Sequence, residues 1–276
     1  MKRPILRRWF EILPSLAILS AKLSLMSIFK SENPTLSEKQ FEKSQTLAME
    51  DRMTVRGTLN KFGFLFLMVM ATAFYTWNAH FGGQDVSGMI LAGAIGGLVL
   101  ALVIVFKQSW APYLAPAYAL LEGLFVGGVS AHYSAAFAEK APDIIIQAVG
   151  LTFGTVIAMY ALYRFQVIRA TERFKSVIIT ATMGIAIFYL IAFVLGFFGI
   201  RIAFLHEGSM IGIIFSLVVV GIAALNLILD FDMVEKGAEM GMPKHMEWYG
   251  AFGLLVTIVW LYLEILRLLS KLSSRD

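Results

Sequence analysis

Residues 86–106 read VSGMILAGAIGGLVLALVIVF and contain no charged side chain. A helix of this length rises about 30 Å at about 1.5 Å per residue, which matches the hydrocarbon thickness of a bilayer. Lipid offers no hydrogen-bond partner to an open backbone, and the stretch lacks the apolar–polar alternation of a membrane β-strand. The stretch therefore predicts a transmembrane α-helix.

Six further stretches are long and apolar enough to cross a bilayer, and short connections punctuated by glycine or proline separate them. The predicted spans cover 62–79, 86–106, 112–134, 144–163, 176–199, 208–229 and 249–270. Short connections favour helices that pack against their sequence neighbours. We therefore expect an all-α integral membrane protein with one transmembrane domain of seven helices over residues 62–272.

The composition supports a membrane protein and excludes several functional classes. Hydrophobic residues make up 58% of the 276 residues and charged residues 15%, against about 45–50% and about 25% in soluble domains. The chain contains no cysteine, which excludes disulfide staples, thiolate zinc sites, iron–sulfur clusters and a thiol nucleophile. The net charge of +4 does not indicate a nucleic-acid partner, because basic residues of membrane proteins usually set orientation.

The distribution of lysine and arginine predicts the orientation of the chain. Most of them precede the first span or fall in the loops after the second, fourth and sixth spans. The opposite side has few, namely Lys140, Arg201, Lys271 and Arg275. By the positive-inside rule, we expect the N-terminus in the cytoplasm and the C-terminus outside.

Residues 1–61 form a basic region that we expect on the cytoplasmic side. Four basic residues within the first eight precede a moderately apolar run, which favours an amphipathic helix over residues 4–29 lying on the inner leaflet. Glu11, Pro14 and Lys22 interrupt this run and argue against a cleaved signal peptide. A true start codon at Met26 is the alternative to the interfacial helix.

Small residues at fourfold spacing predict where helices approach each other closely, because lipid gives helices no hydrophobic reason to associate. The predicted contact positions are Gly88, Ala92 and Gly96 in the second span, and Gly123, Gly127 and Ala131 in the third.

Ionisable side chains inside the spans are the sharpest functional signal, because each costs about 2.5–3.5 kcal/mol at the bilayer centre. Glu122 lies midway along the third span, which indicates a proton or ion site, with a structural hydrogen-bond partner as the alternative. Asp230 closes the sixth span at its inner end, one turn after Asn226, and a solvated helix end is its alternative. Asp232 and Glu235 follow just beyond the span, where a proton or a calcium ion would relieve the repulsion between like charges.

The other ionisable groups indicate structure rather than catalysis. Glu264 and Arg267 are three residues apart on the last span, so we expect a structural pair. The four histidines are scattered, and there is no Gly-x-Ser-x-Gly motif. We therefore expect no enzymatic activity, no cofactor and no bound metal.

Three segments resemble the bacterial branch of the Bax inhibitor-1 family, also called the transmembrane Bax inhibitor motif family. They are APAYALLEG at 115–123, AALNLILDFD at 223–232 and EWYGAFG at 247–253, the last continuing to a Leu-Arg-Leu-Leu ending at Leu269. The similarity covers residues 33–272. The resemblance implies six helices around a central C-terminal helix, and a location in the bacterial inner membrane.

The resemblance also implies a pH-sensitive calcium leak that membrane carboxylates gate. Residue by residue, Glu122 matches the family's buried glutamate, and Asp230 matches the aspartate that ends the sixth helix. This sequence departs from the calcium-leak members near Thr257, where an uncharged residue stands in place of the second aspartate of the gate. The candidates for a gate partner in the inner loop are then Asp232, Glu235 and Glu247.

We predict a membrane protein that leaks cations, calcium foremost, under proton control. At low pH, protonated carboxylates would lose both their mutual repulsion and their affinity for a cation, which would shift the conformational balance. The alternative is a regulatory protein that conducts nothing and binds a membrane protein partner, such as a membrane protease. The basic region over residues 1–61 supports that alternative, because a pure channel does not require it.

Overall fold

The computed structural model describes residues 52–199 and 208–275, which form long α-helices. Seven helices in this part of the chain are long and apolar enough to cross a membrane. They are α1 Val55–Phe81, α2 Ser87–Phe106, α3 Ala111–Ala136, α4 Ile144–Arg164, α5 Glu172–Phe197, α6 Met210–Glu239 and α7 Met246–Ser273. The helix predicted over residues 4–29, and most of the basic region, lie outside the described residues.

Each predicted span coincides with one of these helices, but the sixth extends well beyond its predicted end at 229. Helix α6 continues to Glu239, so the interpretation of Asp232 and Glu235 as residues beyond the helix is wrong. The apolar run stops at the first carboxylate, whereas backbone hydrogen bonding continues for three more turns. An ion pair between Asp232 and Lys236, four residues apart and 2.9 Å long, supports these turns.

The C-terminal helix α7 is the centre of the fold. In the most apolar stretch of α7, 56% is buried, the highest share among the seven spans in the described part of the chain. Helix α7 packs against α1, α3, α4 and α6, and Tyr189 of α5 reaches it through a hydrogen bond. Helix α2 packs against α3. The central C-terminal helix expected from the resemblance is confirmed.

The close contact between α2 and α3 uses the predicted Gly96, whose Cβ would lie 2.8 Å from Leu121 Cδ1, together with Gly93 and Gly97, which were not predicted. A Cβ at Gly93 would lie 2.5 Å from the Leu121 carbonyl oxygen, and Gly97 is also buried. Gly88 has open space around it, so the predicted α2 face is wrong there. Fourfold spacing identifies a stripe of small residues, but several stripes coexist on a glycine-rich helix. On α3 the predicted glycine stripe is buried as expected.

Candidate ion-binding carboxylates within the membrane

Asp230 carries the least satisfied polar atom in the described part of the chain. Its Oδ2 is buried and has no hydrogen-bond partner. The neighbouring polar side chain is that of Thr257 in α7. Buried polar atoms are almost always paired in native structures, so an orphan carboxylate oxygen inside a membrane span calls for a functional explanation.

The depth of Asp230 follows from the two helices that meet at it. Asp230 is nine residues, or about 14 Å, from the end of α6, and Thr257 is eleven residues, or about 17 Å, from the start of α7. The carboxylate therefore lies well inside the bundle rather than at the solvated inner end that the shorter predicted span suggested.

Glu122 lies in α3 and faces α2. Its Oε2 is 3.2 Å from the point that a Cβ at Gly97 would occupy, so the missing side chain of that glycine makes room for the carboxylate. Tyr118, one turn earlier on α3, is the polar side chain beside it. The ring of Tyr118 also packs edge-on against Phe252 of α7, with centroids 4.9 Å apart.

The structure places Glu122 and Asp230 at different helix contacts. Tyr118, beside Glu122, meets α7 at Phe252, whereas Asp230 meets it at Thr257. Five residues rotate a helix by about 140° beyond one full turn, so Tyr118 and Asp230 approach different faces of α7. They lie at similar depths, because the two contact positions on α7 differ by only about 8 Å in height.

Glu247 is a structural clamp rather than a partner of Asp230. It lies in the first turn of α7, not in the inner loop as predicted, and it is fully buried. The carboxylate accepts hydrogen bonds from the backbone N–H and the hydroxyl of Thr54, and it pairs with Lys61 of α1. Lys244 Nζ lies 3.4 Å from Glu247 Oε1, the oxygen that accepts both bonds from Thr54. These contacts join the start of α1 to the start of α7.

Asp232 and Glu235 also form their bonds with residues other than Asp230. Asp232 pairs with Lys175 of α5 at 3.0 Å, and Lys236 bonds the same carboxylate oxygen. The hydroxyl of Tyr163 in α4 donates to Glu235. The three candidate gate partners therefore make their bonds to other helices, and the residue that lies beside Asp230 is the uncharged Thr257.

Glu264 and Arg267 form an ion pair of 2.9 Å in α7. Sequence reasoning missed the third member of this group. The hydroxyl of Tyr189 in α5 donates to Glu264 at 3.0 Å and accepts from Arg267 Nη1 at 2.6 Å. The signal that could have identified Tyr189 is a repeat of polar residues at every seventh position of α5, which runs through Lys175, Thr182 and Tyr189.

Lys271 is the other residue that sequence reasoning misplaced. It was expected in the outer tail, but it lies in α7 with 2% of its surface exposed. Its ammonium donates to the Gly212 carbonyl at 3.0 Å and to Ser216 Oγ at 2.8 Å, both in α6. Across residues 52–199 and 208–275, no group of three histidine or acidic side chains has the arrangement of a metal site.

Seven apolar helices with a few buried ionisable groups define a multi-pass membrane protein. The chain belongs to the Bax inhibitor 1 like family, whose model matches residues 33–274. A search of curated proteins found no match.

Proposed function

We propose that this protein is a pH-sensitive cation leak with calcium as its principal permeant ion. The observation that carries the proposal is the buried, unpaired Oδ2 of Asp230. A carboxylate without a partner in a low-dielectric site is costly when charged, and either a proton or a cation neutralises it. Competition between the two at one oxygen would make cation passage depend on pH.

Glu122 is the second carboxylate of the proposed leak. The glycine opposite it, Gly97, leaves its Oε2 facing α2 rather than an ion-pair partner. On taking up or losing a proton, Glu122 would act on the central helix through Tyr118, whose ring packs on α7, and Asp230 would act on it through Thr257. Our proposal includes the orientation predicted from the basic residues, with the N-terminus in the cytoplasm and the protein in an inner membrane.

Calcium flux into liposomes tests this proposal. Purified protein is reconstituted with a calcium indicator inside the vesicles, and external calcium is added at several pH values. We expect Asp230→Asn and Glu122→Gln to reduce the flux at least about tenfold, which corresponds to about 1.4 kcal/mol, and to flatten its pH dependence. Asp143→Asn is the matched control, because Asp143 is exposed at the start of α4.

Two results would contradict a leak. One is wild-type flux equal to that of protein-free vesicles at every pH, which would favour the non-conducting regulatory alternative. The other is an Asp230→Asn variant that conducts as the wild type does. Deletion of residues 1–30 separates the two functions, since a leak needs only the spans and a captured partner protein would need the basic region.

A further inference from the structure

Three polar residues of α5 recur at every seventh position, and they are Lys175, Thr182 and Tyr189. Seven residues make almost two helical turns, so the three lie along one face of α5. Among the described residues, α5 is the least buried span. In its most apolar stretch 6% is buried, against 56% for α7. Polar side chains therefore contribute much of the attachment of α5 to its neighbours, beside the ring contact between Phe188 and Phe215 of α6.

Each of the three residues has a polar partner at a different depth. The contacts are Lys175 with Asp232 of α6 at 3.0 Å, Thr182 with Asn226 of α6 at 2.8 Å, and Tyr189 with Glu264 of α7 at 3.0 Å. Asp230 lies one turn from Asn226 on α6, and its Oδ2 has no partner. We call the set of these seven residues the polar seam.

The polar seam and the polar residues next to it extend through most of a bilayer's thickness. Asp230 of α6 lies beside Thr257 of α7, and Ser216 of α6 bonds Lys271 of α7. These two contacts are fourteen residues apart on each of the two helices. This segment alone is about 21 Å long. Lys236, which bonds Asp232, extends the row of polar groups to twenty residues of α6, or about 30 Å.

The steps between polar groups along this length are short. On α7, Glu264 lies halfway between Thr257 and Lys271, and Arg267 lies between Glu264 and Lys271. On α6, Asn226 lies one turn from Asp230. No axial step between neighbouring polar groups therefore exceeds about 6 Å, the rise of one helical turn. One water molecule can bridge such a step, since it hydrogen-bonds groups on either side of it.

The chemistry of the polar seam suits protons better than metal cations. Carboxylates, hydroxyls and an amide line its middle, and groups of this kind form the proton relays of membrane pumps and transporters. Arg267, bonded to Tyr189 and Glu264, and Lys271 hold two positive charges at the end where α7 finishes. These charges repel any cation, and they repel a divalent calcium ion about twice as strongly as a proton.

We propose that the polar seam between α5, α6 and α7 is a proton route across the membrane, with Asp230 as its buried relay. The proposal rests on the proposed function only in requiring that Asp230 can take up and release a proton. It does not require that calcium passes. Movement of the weakly packed α5 away from α6 would admit the water that completes the route.

Proton flux into liposomes tests the route. Vesicles that contain a pH-sensitive dye and potassium are diluted into low-potassium buffer, and valinomycin sets an inside-negative potential that drives protons in. We expect the wild type to acidify the vesicles faster than protein-free controls do. The double variant Thr182→Val/Asn226→Leu should slow the entry at least about tenfold, because it removes the central polar step and leaves neither partner unpaired.

The matched control is Thr152→Val, which makes the same kind of change away from the polar seam. The Thr152 hydroxyl is buried and bonds the Ala148 carbonyl within α4 at 2.7 Å. We expect this variant to pass protons as the wild type does. Tyr189→Phe is a second test of the route if the double variant does not fold. Its control is Tyr262→Phe, which removes a hydroxyl that bonds Ser130 of α3 instead.

Two outcomes would overturn the route: wild-type proton entry no faster than in empty vesicles, or folded seam variants that conduct protons at the wild-type rate. Calcium entry measured in parallel vesicles separates this proposal from the proposed function. Proton flux that depends on Thr182 and Asn226 without any calcium flux would support the route and remove the calcium leak. Calcium flux with no proton flux would do the reverse.

Discussion

The carboxylate of Glu247 accepts hydrogen bonds from both the backbone N–H and the hydroxyl of Thr54, at 2.9 and 2.8 Å. Thr54 is the N-cap of α1, and Glu247 lies in the first turn of α7, so one side chain links two helix starts that are far apart in sequence. The Gly57 backbone leaves the space that the carboxylate fills. A buried acid that looked like a gate candidate in the sequence is therefore a structural clamp.

Loss of this clamp should destabilise the protein strongly. Glu247→Ala removes the partner of Lys61 and of the Thr54 N–H, and breaking a buried ion pair costs about 3–5 kcal/mol. We expect a loss of about 3 kcal/mol, because Lys61 keeps partial access to water. The measurement is SDS-induced unfolding followed by tryptophan fluorescence. Glu239→Ala, at the exposed end of α6, should change the stability by less than about 0.5 kcal/mol, and an equal effect of both variants would contradict the clamp.

Glycine-to-alanine substitutions in α2 should separate close backbone contact from open space. Gly93→Ala puts a methyl group 2.5 Å from the Leu121 carbonyl oxygen, and overpacking of this kind costs about 1–3 kcal/mol. Gly88→Ala meets no atom within 4 Å, so it should be neutral or stabilising, since alanine favours a helix over glycine. Thermal unfolding of the two variants in detergent checks the difference. Similar melting temperatures would mean that α2 does not pack on α3 through Gly93.

Gly97→Ala has a different expected effect, because the nearest atom to its new methyl group is Glu122 Oε2 at 3.2 Å. The end of a glutamate side chain can move by a few tenths of an ångström, so we expect little loss of stability. The displaced carboxylate should nevertheless change the pH dependence of calcium flux. A Gly97→Ala protein with the wild-type stability and an unchanged pH profile would argue that Glu122 is not part of the ion site.

The number and type of the helices could be predicted from the sequence because the bilayer imposes one length on every span. The end of α6 could not, since a run of apolar residues marks the hydrocarbon boundary and not the last backbone hydrogen bond. Lys271 was misplaced for a related reason: a lysine near a span end normally reaches water, whereas this one turns inward to Ser216.

Single residues such as Glu122 and Asp230 could be identified from their positions within apolar spans, but their partners could not. Gly97 opposite Glu122, and Thr257 opposite Asp230, depend on the rotation of each helix about its axis. Hydropathy contains little information on that rotation. Tyr189 was missed because a tyrosine can occur in a membrane span for many structural reasons. Its role became clear only from its hydrogen bonds with Glu264 and Arg267.

The start of α2 should show a pH dependence that arises outside the membrane spans. The backbone N–H of Ser87, which donates to Asp85 Oδ1 at 2.9 Å, holds the pKa of Asp85 below its usual 3.8, with smaller contributions from the Ser87 side chain and His132. A lowered pKa stabilises the folded state above the unfolded pKa, and this contribution disappears as the pH falls through the folded value. Asp85→Ala should therefore lower the melting temperature at pH 6, and the difference from the wild type should shrink below about pH 4. A difference that stays constant with pH would contradict this assignment.

The group of Tyr189, Glu264 and Arg267 should behave as one energetic unit, because each member bonds the other two. Tyr189→Phe leaves Glu264 and Arg267 with only each other, and Glu264→Leu leaves Arg267 with only the tyrosine hydroxyl. Residues within one hydrogen-bond network show interaction energies of about 0.5–3 kcal/mol. We expect the double variant to be about 1–2 kcal/mol more stable than the sum of the two single losses predicts, because either change alone already disrupts the network. SDS unfolding of the wild type and the three variants gives this value, and strict additivity would mean that α5 is not joined to α7 through these side chains.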